Sequence, residues 1–165
     1  MPRTVNHPTD KLSPMHLRRY EEADRPAVLA LAPRLTEGVA PWRSSEKVLT
    51  AVTEWVADAL ERSGDPASFV YVAEDSDGIA GFVSGEQRTH WSGDPELYVG
   101  ELVVAPAYEG RGVGRALMDA VTAHARRCGL STISLETGAA NANARAFYGR
   151  LGFAEEDVKL TKTLS

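Results

Sequence analysis

Apolar positions recur along this chain with periods of two and of about three and a half, and their order sets out the elements. His16–Tyr20 alternates as a strand. Asp24 then caps a helix with Pro26 in its first turn, running to about Leu35 and broken by Gly38–Pro41. A second helix from Ser44 or Ser45 presents Val48, Val52, Trp55 or Val56, and Leu60 on one face and ends at Gly64, which predicts Trp55 in the core. Ser68–Glu74 and Ile79–Gln87 read as strands joined by the turn Asp75-Ser76-Asp77-Gly78, with Gly81 and Gly85 as candidate bulges. A polar loop leads into a central strand at about Leu97, which Pro106 stops. After a glycine-rich turn, a helix with Leu117, Val121, Ala125 and Cys128 inward ends at Gly129. Ser131–Thr137 is a further strand, and Asn141 or Asn143 caps a short helix that Gly152 ends. Phe153 and Val158–Thr163 read as a last antiparallel pair, and residues 1–14 as a mobile tail.

This order predicts one α/β or α+β layer domain over residues 15–165, a mixed sheet with helices on its faces. Composition narrows the function. The net charge is −5 with both signs interspersed, so no basic face points to nucleic acid. No apolar run is long enough to span a bilayer and no charged-then-apolar segment opens the chain, so no membrane partner and a cytoplasmic location are expected. The single cysteine, Cys128, excludes an internal disulfide and fits a reducing compartment. Its place on an apolar stripe predicts a small buried hydrophobe. No metal is expected.

The chemistry concentrates in Glu101–Arg115, where a buried strand (Leu102, Val103, Val104) runs through Gly110, Gly112 and Gly114 into a helix. Strand, glycine turn and helix N-terminus make an anion site, suited to a phosphate or pyrophosphate. A phosphate-binding Walker loop needs Lys-Ser/Thr after its last glycine, and Arg115-Ala116 stand there. A dinucleotide fingerprint fails because Arg115 occupies its third glycine position.

Glu109-Gly110-Arg111-Gly112-Val113-Gly114 instead resembles motif A of the GNAT N-acetyltransferases, Arg/Gln-x-x-Gly-x-Gly/Ala, with Glu109 in the first place. Leu135-Glu136, Asn141, Ala144, Phe147-Tyr148 and Gly152-Phe153 are similar to that family's second conserved block. The resemblance implies the GNAT fold, a mixed, mostly antiparallel sheet splayed between its fourth and fifth strands with helices on both faces. It also implies acetyl-CoA as cosubstrate. By position, the backbone of Leu102, Val103 and Val104 would pair with the pantetheine arm. Gly110, Arg111, Gly112, Val113, Gly114 and Arg115 would hold the pyrophosphate, and Asn141 would hydrogen-bond the cofactor.

An amine attacking a thioester needs a base, a polarised carbonyl and a proton for the leaving sulfur. The resemblance puts Tyr148 near that sulfur as acid, and the Val104 N–H is the expected oxyanion donor. Glu136 and Glu101 are the candidate bases, Glu101 on the expectation that it shares a face with Val99 and Val103. His90 is a third candidate. Glu109 would repel phosphate unless its side chain faces water, with Arg111 and Arg115 compensating. The acceptor loops are expected at Gly38–Arg43, with Trp42, and His90–Glu96, with Trp91 and Asp94. They suit a small amine, an amino acid, an aminoglycoside-like antibiotic or a peptide N-terminus, and a homodimer is left open. The rival readings are a non-catalytic acyl-CoA-binding sensor or interaction module on the same fold, and a dinucleotide-binding oxidoreductase domain.

Overall fold

A computed structural model describes residues 14–164, so the expected tail lies outside the described residues apart from Pro14. The strands are β1 (His16–Arg19), β2 (Ser68–Asp75), β3 (Gly78–Thr89), β4 (Pro95–Val104) and β5 (Ile133–Leu135). They form one sheet in the order β1-β2-β3-β4-β5, antiparallel through β4 and parallel between β4 and β5. The helices are α1 (Arg25–Leu31), α2 (Ser45–Glu61), α3 (Val113–Arg127) and α4 (Ala142–Arg150), and a 3-10 turn over Ala32–Thr36 prolongs α1. This is the layered α+β arrangement expected, with helices on both faces.

Two apolar cores sandwich the sheet. On one face Phe69, Val83, Leu97 and Val99 meet Leu117 and Val121 of α3, with Phe147 and Tyr148 of α4 at the margin. On the other, Val72, Phe82 and Val103 meet Val28 of α1 and Val56 and Leu60 of α2. Burial of such side chains stabilises each layer by about 1.5–3 kcal/mol per residue.

Where the pattern was ambiguous, side-chain direction decided. In α2 the buried stripe is Val52, Val56 and Leu60, four residues apart, which turns Trp55 outward to 57% exposure rather than into the core. In α3 the helix ends at Arg127, so Cys128 falls beyond the buried stripe and is exposed. His124 is buried in its stead, bonded through Nδ1 to the Tyr71 hydroxyl at 2.8 Å. The expected last antiparallel pair is absent among the described residues. Phe153 packs on Tyr148, but Val158 and Leu160 are exposed and no strand faces them.

The bulges matter most for the site. Ser84 pairs with Glu101 and Gly85 with Val99, so Gly100 is an extra residue in β4 opposite the expected Gly85. A second irregularity sits between Ala73 and Glu74 of β2, beside Gly81 in β3. Gly85 itself serves a close approach, because a Cβ there would lie 2.0 Å from the Tyr98 carbonyl oxygen. The extra residue reverses side-chain parity along β4. Val99 faces α3, whereas Val103 faces α1 and α2, and Glu101 goes with Val103. The expectation that Glu101 shares a face with Val99 is thereby corrected.

Arg18 of β1 fixes the edge of the sheet to the start of α1. Its guanidinium donates to both Asp24 oxygens at 2.7 and 2.9 Å and both Glu74 oxygens at 2.8 and 2.7 Å. Those bonds hold the Asp24 and Glu74 carboxyls below their ordinary range. Depressed carboxylate pKa values stabilise the fold above the unfolded pKa and lose that contribution as pH falls through the folded one. Arg18→Met is therefore expected to melt several degrees lower at neutral pH. The gap to wild type should narrow below about pH 4; a gap independent of pH in thermal melts would contradict this.

Candidate active site

The last β4–β5 pair is Val99 with Leu135, after which the two strands diverge. Glu101–Val104 stays bonded to β3 on one edge, and its other edge faces no strand among the described residues. Leu102 and Val104 turn to the α3 side and Val103 to the α1–α2 side.

The open edge runs straight into the glycine loop. Ala105 N–H bonds Ala80, and a short turn over Pro106–Tyr108 reverses the chain. Gly110 and Gly112 then take φ of 71° and 81°, values side chains disfavour, and a Cβ at either would meet nothing within 4 Å. Among the described residues, the N–H groups of Gly110, Gly112, Val113, Gly114 and Arg115 donate to no backbone carbonyl outside the helix's own turns. These five donors lie at the positive end of α3, with open space in front of Gly110 and Gly112. Gly114 serves packing instead. A Cβ there would come within 3.2 Å of the Phe147 ring and 3.6 Å of Val104, so its lack of a side chain seats α4 against α3.

Several charges around the loop already have partners. The Arg111 guanidinium lies 4.7 Å from the centre of the Tyr108 ring, whose hydroxyl donates to Asp75 at 2.7 Å. Arg115 is exposed. Glu109, the departure from the glycine-loop pattern, pairs with Arg34 of the α1 extension, which also lies 3.1 Å from Glu37. Both contacts use Nη2, so the other guanidinium donors of Arg34 are unspent among the described residues. Arg34 lies 75 positions from Glu109 and no local spacing marked it. Asn141 caps α4 by accepting from Ala144 N–H at 3.1 Å and donates to the Glu37 carbonyl at 3.4 Å. The Nδ2 bond ties α4 to the loop after α1 and leaves the second amide N–H unused among the described residues.

Tyr148 sits between the rings of Phe147, at 5.1 Å, and Phe153, at 5.6 Å. Its hydroxyl has no hydrogen-bond partner among the described residues. Burial pushes its pKa up to about 12.

Across the gap, Glu101 accepts a hydrogen bond from the Ser84 hydroxyl. Burial pushes its carboxyl above the ordinary range, while the Ser84 bond pulls the other way. It lines a small cavity of about 90 Å³ with Tyr98, Gly85 and Ala59. Burial, and then the neighbouring Glu136, raise the Tyr98 phenol as well. The Arg88 guanidinium covers the Tyr98 ring at 3.6 Å and bonds Glu96 at 2.6 Å. Sequence reasoning missed Tyr98 because strict alternation puts it on the opposite face from Glu101, and the Gly100 bulge brings the two to one side. Glu136 itself is exposed just beyond β5. His90 is held within its own loop, Nδ1 2.8 Å from Ser92 Oγ, with Nε2 4.0 Å from Glu156.

This geometry gives Gly112 a conformational test. Gly112→Val would force a β-branched residue to a φ of 81°, at a cost of about 1–2 kcal/mol in denaturant unfolding. Unchanged stability would show that the loop relaxes freely out of the left-handed region.

Comparison with known proteins agrees with this arrangement. The family model of the acetyltransferase (GNAT) family matches residues 35–153. A mycothiol acetyltransferase of Geodermatophilus obscurus is 39% identical over 117 residues, covering 65% of this chain and 37% of the relative. The streptothricin acetyltransferase of Streptomyces lavendulae is 37% identical over 90 residues, covering 54% and 46%. The chain spans only about a quarter to a half of the length of the first curated relatives it matches. Among solved structures, PaiA N-acetyltransferase from Thermoplasma acidophilum, in complex with coenzyme A, has a TM-score of 0.75 at 17% identity over 88% of this chain and 93% of that one. That likeness is one of fold. The matched stretch takes in the diverging strands, the glycine loop and Tyr148, and the chain belongs to the GNAT acetyltransferase family.

Proposed function

We propose that the chain is an acetyl-CoA-dependent N-acetyltransferase in which a primary amine attacks the thioester directly in a ternary complex. One observation carries the reading: the unpaired edge of Glu101–Val104 leads directly into the free N–H groups of the Gly110–Arg115 loop. A pantetheine arm is a linear chain of amides that can pair with such an edge, and a pyrophosphate is the anion such a loop suits. The open space in front of Gly110 and Gly112 supports that fit.

In this reading the Glu101 carboxylate takes a proton from the incoming ammonium, and the neutral nitrogen bonds to the acetyl carbon. The Val104 N–H steadies the oxyanion, the C–S bond breaks and the sulfur leaves as a thiolate. Partial burial supports Glu101 over the exposed Glu136 as the direct base, because a raised pKa improves proton acceptance. Glu136 suits delivery through water. A phenol of pKa about 12 stays protonated at neutral pH. Full transfer from it to a thiolate of pKa near 8.5 would be uphill by about 5 kcal/mol. Tyr148 therefore serves by hydrogen-bonding the sulfur as it becomes anionic, with the net proton coming from the nitrogen through solvent. Arg34, held by Glu109, supplies a cation at the mouth of the loop and offsets the carboxylate there.

The direct test follows thiol release with a panel of amines. A module that only bound acyl-CoA would bind and release none. Tyr148→Phe should keep acetyl-CoA affinity and lose roughly 10²–10³ in kcat, the usual worth of one such donor; a wild-type rate would reduce the phenol to a packing ring. Wild-type kcat/KM should fall as pH drops through the Glu101 pKa, above the ordinary value of about 4.3. Glu101→Gln should abolish that limb, and a surviving limb would move the base elsewhere.

Arg34 is tested by calorimetry. Arg34→Met should weaken acetyl-CoA binding about tenfold, or about 1.4 kcal/mol, more at low salt than at high. Adding Glu109→Gln should restore part of the loss, since the unpaired carboxylate would be gone. Equal affinities in all three proteins would mean that the ion pair has no part in binding.

A further inference from the structure

A groove lies on one flank of α2, away from the splayed strands. It measures about 500 Å³, and Leu35, Val39, Val48 and Val52 line it together with the indoles of Trp42 and Trp55. Those indoles are 54% and 57% exposed, so the groove presents apolar surface that the described fold leaves uncovered. Arg43 and Lys47 line the same groove, and neither has an acidic partner among the described residues. In a chain of net charge −5, two unpaired cations beside an apolar groove favour an anion there.

The small Glu101 cavity touches the same flank. Ala59 and Arg62 line it, whereas Lys47, Ala51 and Trp55 line the groove. Positions 51, 55 and 59 form one stripe along the helix, with Arg62 just past its end, so the two cavities lie about a turn apart on one side of α2. Trp55 is about 6 Å from Ala59 along the axis and Lys47 about 18 Å. A cavity of about 90 Å³ has room for an amine and a few methylenes, but not for a whole acceptor. The larger groove has room for the rest.

We propose that the acceptor is a short peptide-like amine, and this inference rests on the N-acetyltransferase reading. Its free amine enters at Glu101, a bulky apolar or aromatic group lies over Trp55 and Trp42, and a carboxylate reaches Arg43 and Lys47. An extended tripeptide, about 3.3 Å per residue, spans this layout once the two long cationic side chains reach in. Polycationic amines are disfavoured, because their distal charges would meet Arg43 and Lys47.

The test compares Gly-Leu-Phe, its C-terminal amide and spermidine as acceptors, read by thiol release. The free acid should exceed both others in kcat/KM by tenfold or more. The double variant Arg43→Glu with Lys47→Glu should erase the difference between acid and amide while acetyl-CoA affinity stays unchanged. Binding of Gly-Leu-Phe is followed separately by tryptophan fluorescence in a Trp91→Phe background. A saturable change is expected, and Trp55→Ala should weaken it. Spermidine as the best acceptor, equal use of acid and amide, or no saturable fluorescence change would each overturn the proposal. Failure of wild type to bind acetyl-CoA in calorimetry would instead sink the transferase reading, and the fluorescence titration would still decide what the groove takes.

Discussion

Everything at the site depends on where β4 and β5 stop pairing. Backbone N–H and C=O groups in a sheet interior normally find a neighbouring strand, and leaving them open is costly unless water or a ligand takes them. Here the parallel ladder ends at Val99–Leu135, just before the extra residue Gly100. The bulge has two consequences: it accompanies the divergence that frees the edge of Glu101–Val104, and it turns Glu101 from the α3 face to the α2 face. A carboxylate and a free backbone edge thus come from the same short segment, with the glycine loop immediately downstream.

The segment after α1 ties the two sides of this gap together. Arg34 pairs with Glu109 of the glycine loop, and the Glu37 carbonyl accepts from Asn141 at the cap of α4. Gly38 and Gly138 meet backbone to backbone, since a Cβ on Gly138 would lie 2.3 Å from the Gly38 carbonyl oxygen. Leu35 and Val39 in this same segment line the groove on α2. Contacts on the loop side and the groove side are therefore carried by one short stretch of chain. That is a physical route for filling one site to affect the other.

Much of the fold was legible because the patterns were long. The amphipathic periods of α2 and α3, the Asp75–Gly78 turn and the Pro106 stop each place an element within a few residues of where it lies. The glycine loop and the Tyr148 block were legible as a spaced pair of motifs. What failed was local geometry that depends on distant partners. Trp55 and Val56 compete for one stripe, and only packing on the sheet decides between them. Cys128 continues the α3 period one residue past the end of the helix. The Gly100 bulge, on which the surroundings of Glu101 and Tyr98 depend, leaves no mark in the alternation of apolar residues. Arg34 reaches Glu109 from another layer, so nothing near the loop announced that its carboxylate had a partner. Val158–Thr163 carries a strand's alternation without a strand beside it, and alternation alone does not supply one.

The central claim is that the open edge of β4 and the loop after it receive acetyl-CoA. Amide hydrogen exchange measures this most directly, peptide by peptide across 101–104 and 110–115, with and without the ligand. The account predicts that acetyl-CoA slows exchange in both segments together, with NAD at the same concentration leaving both unchanged. Exchange in the β4 edge that ignores acetyl-CoA, or protection of the loop by NAD instead, would contradict it.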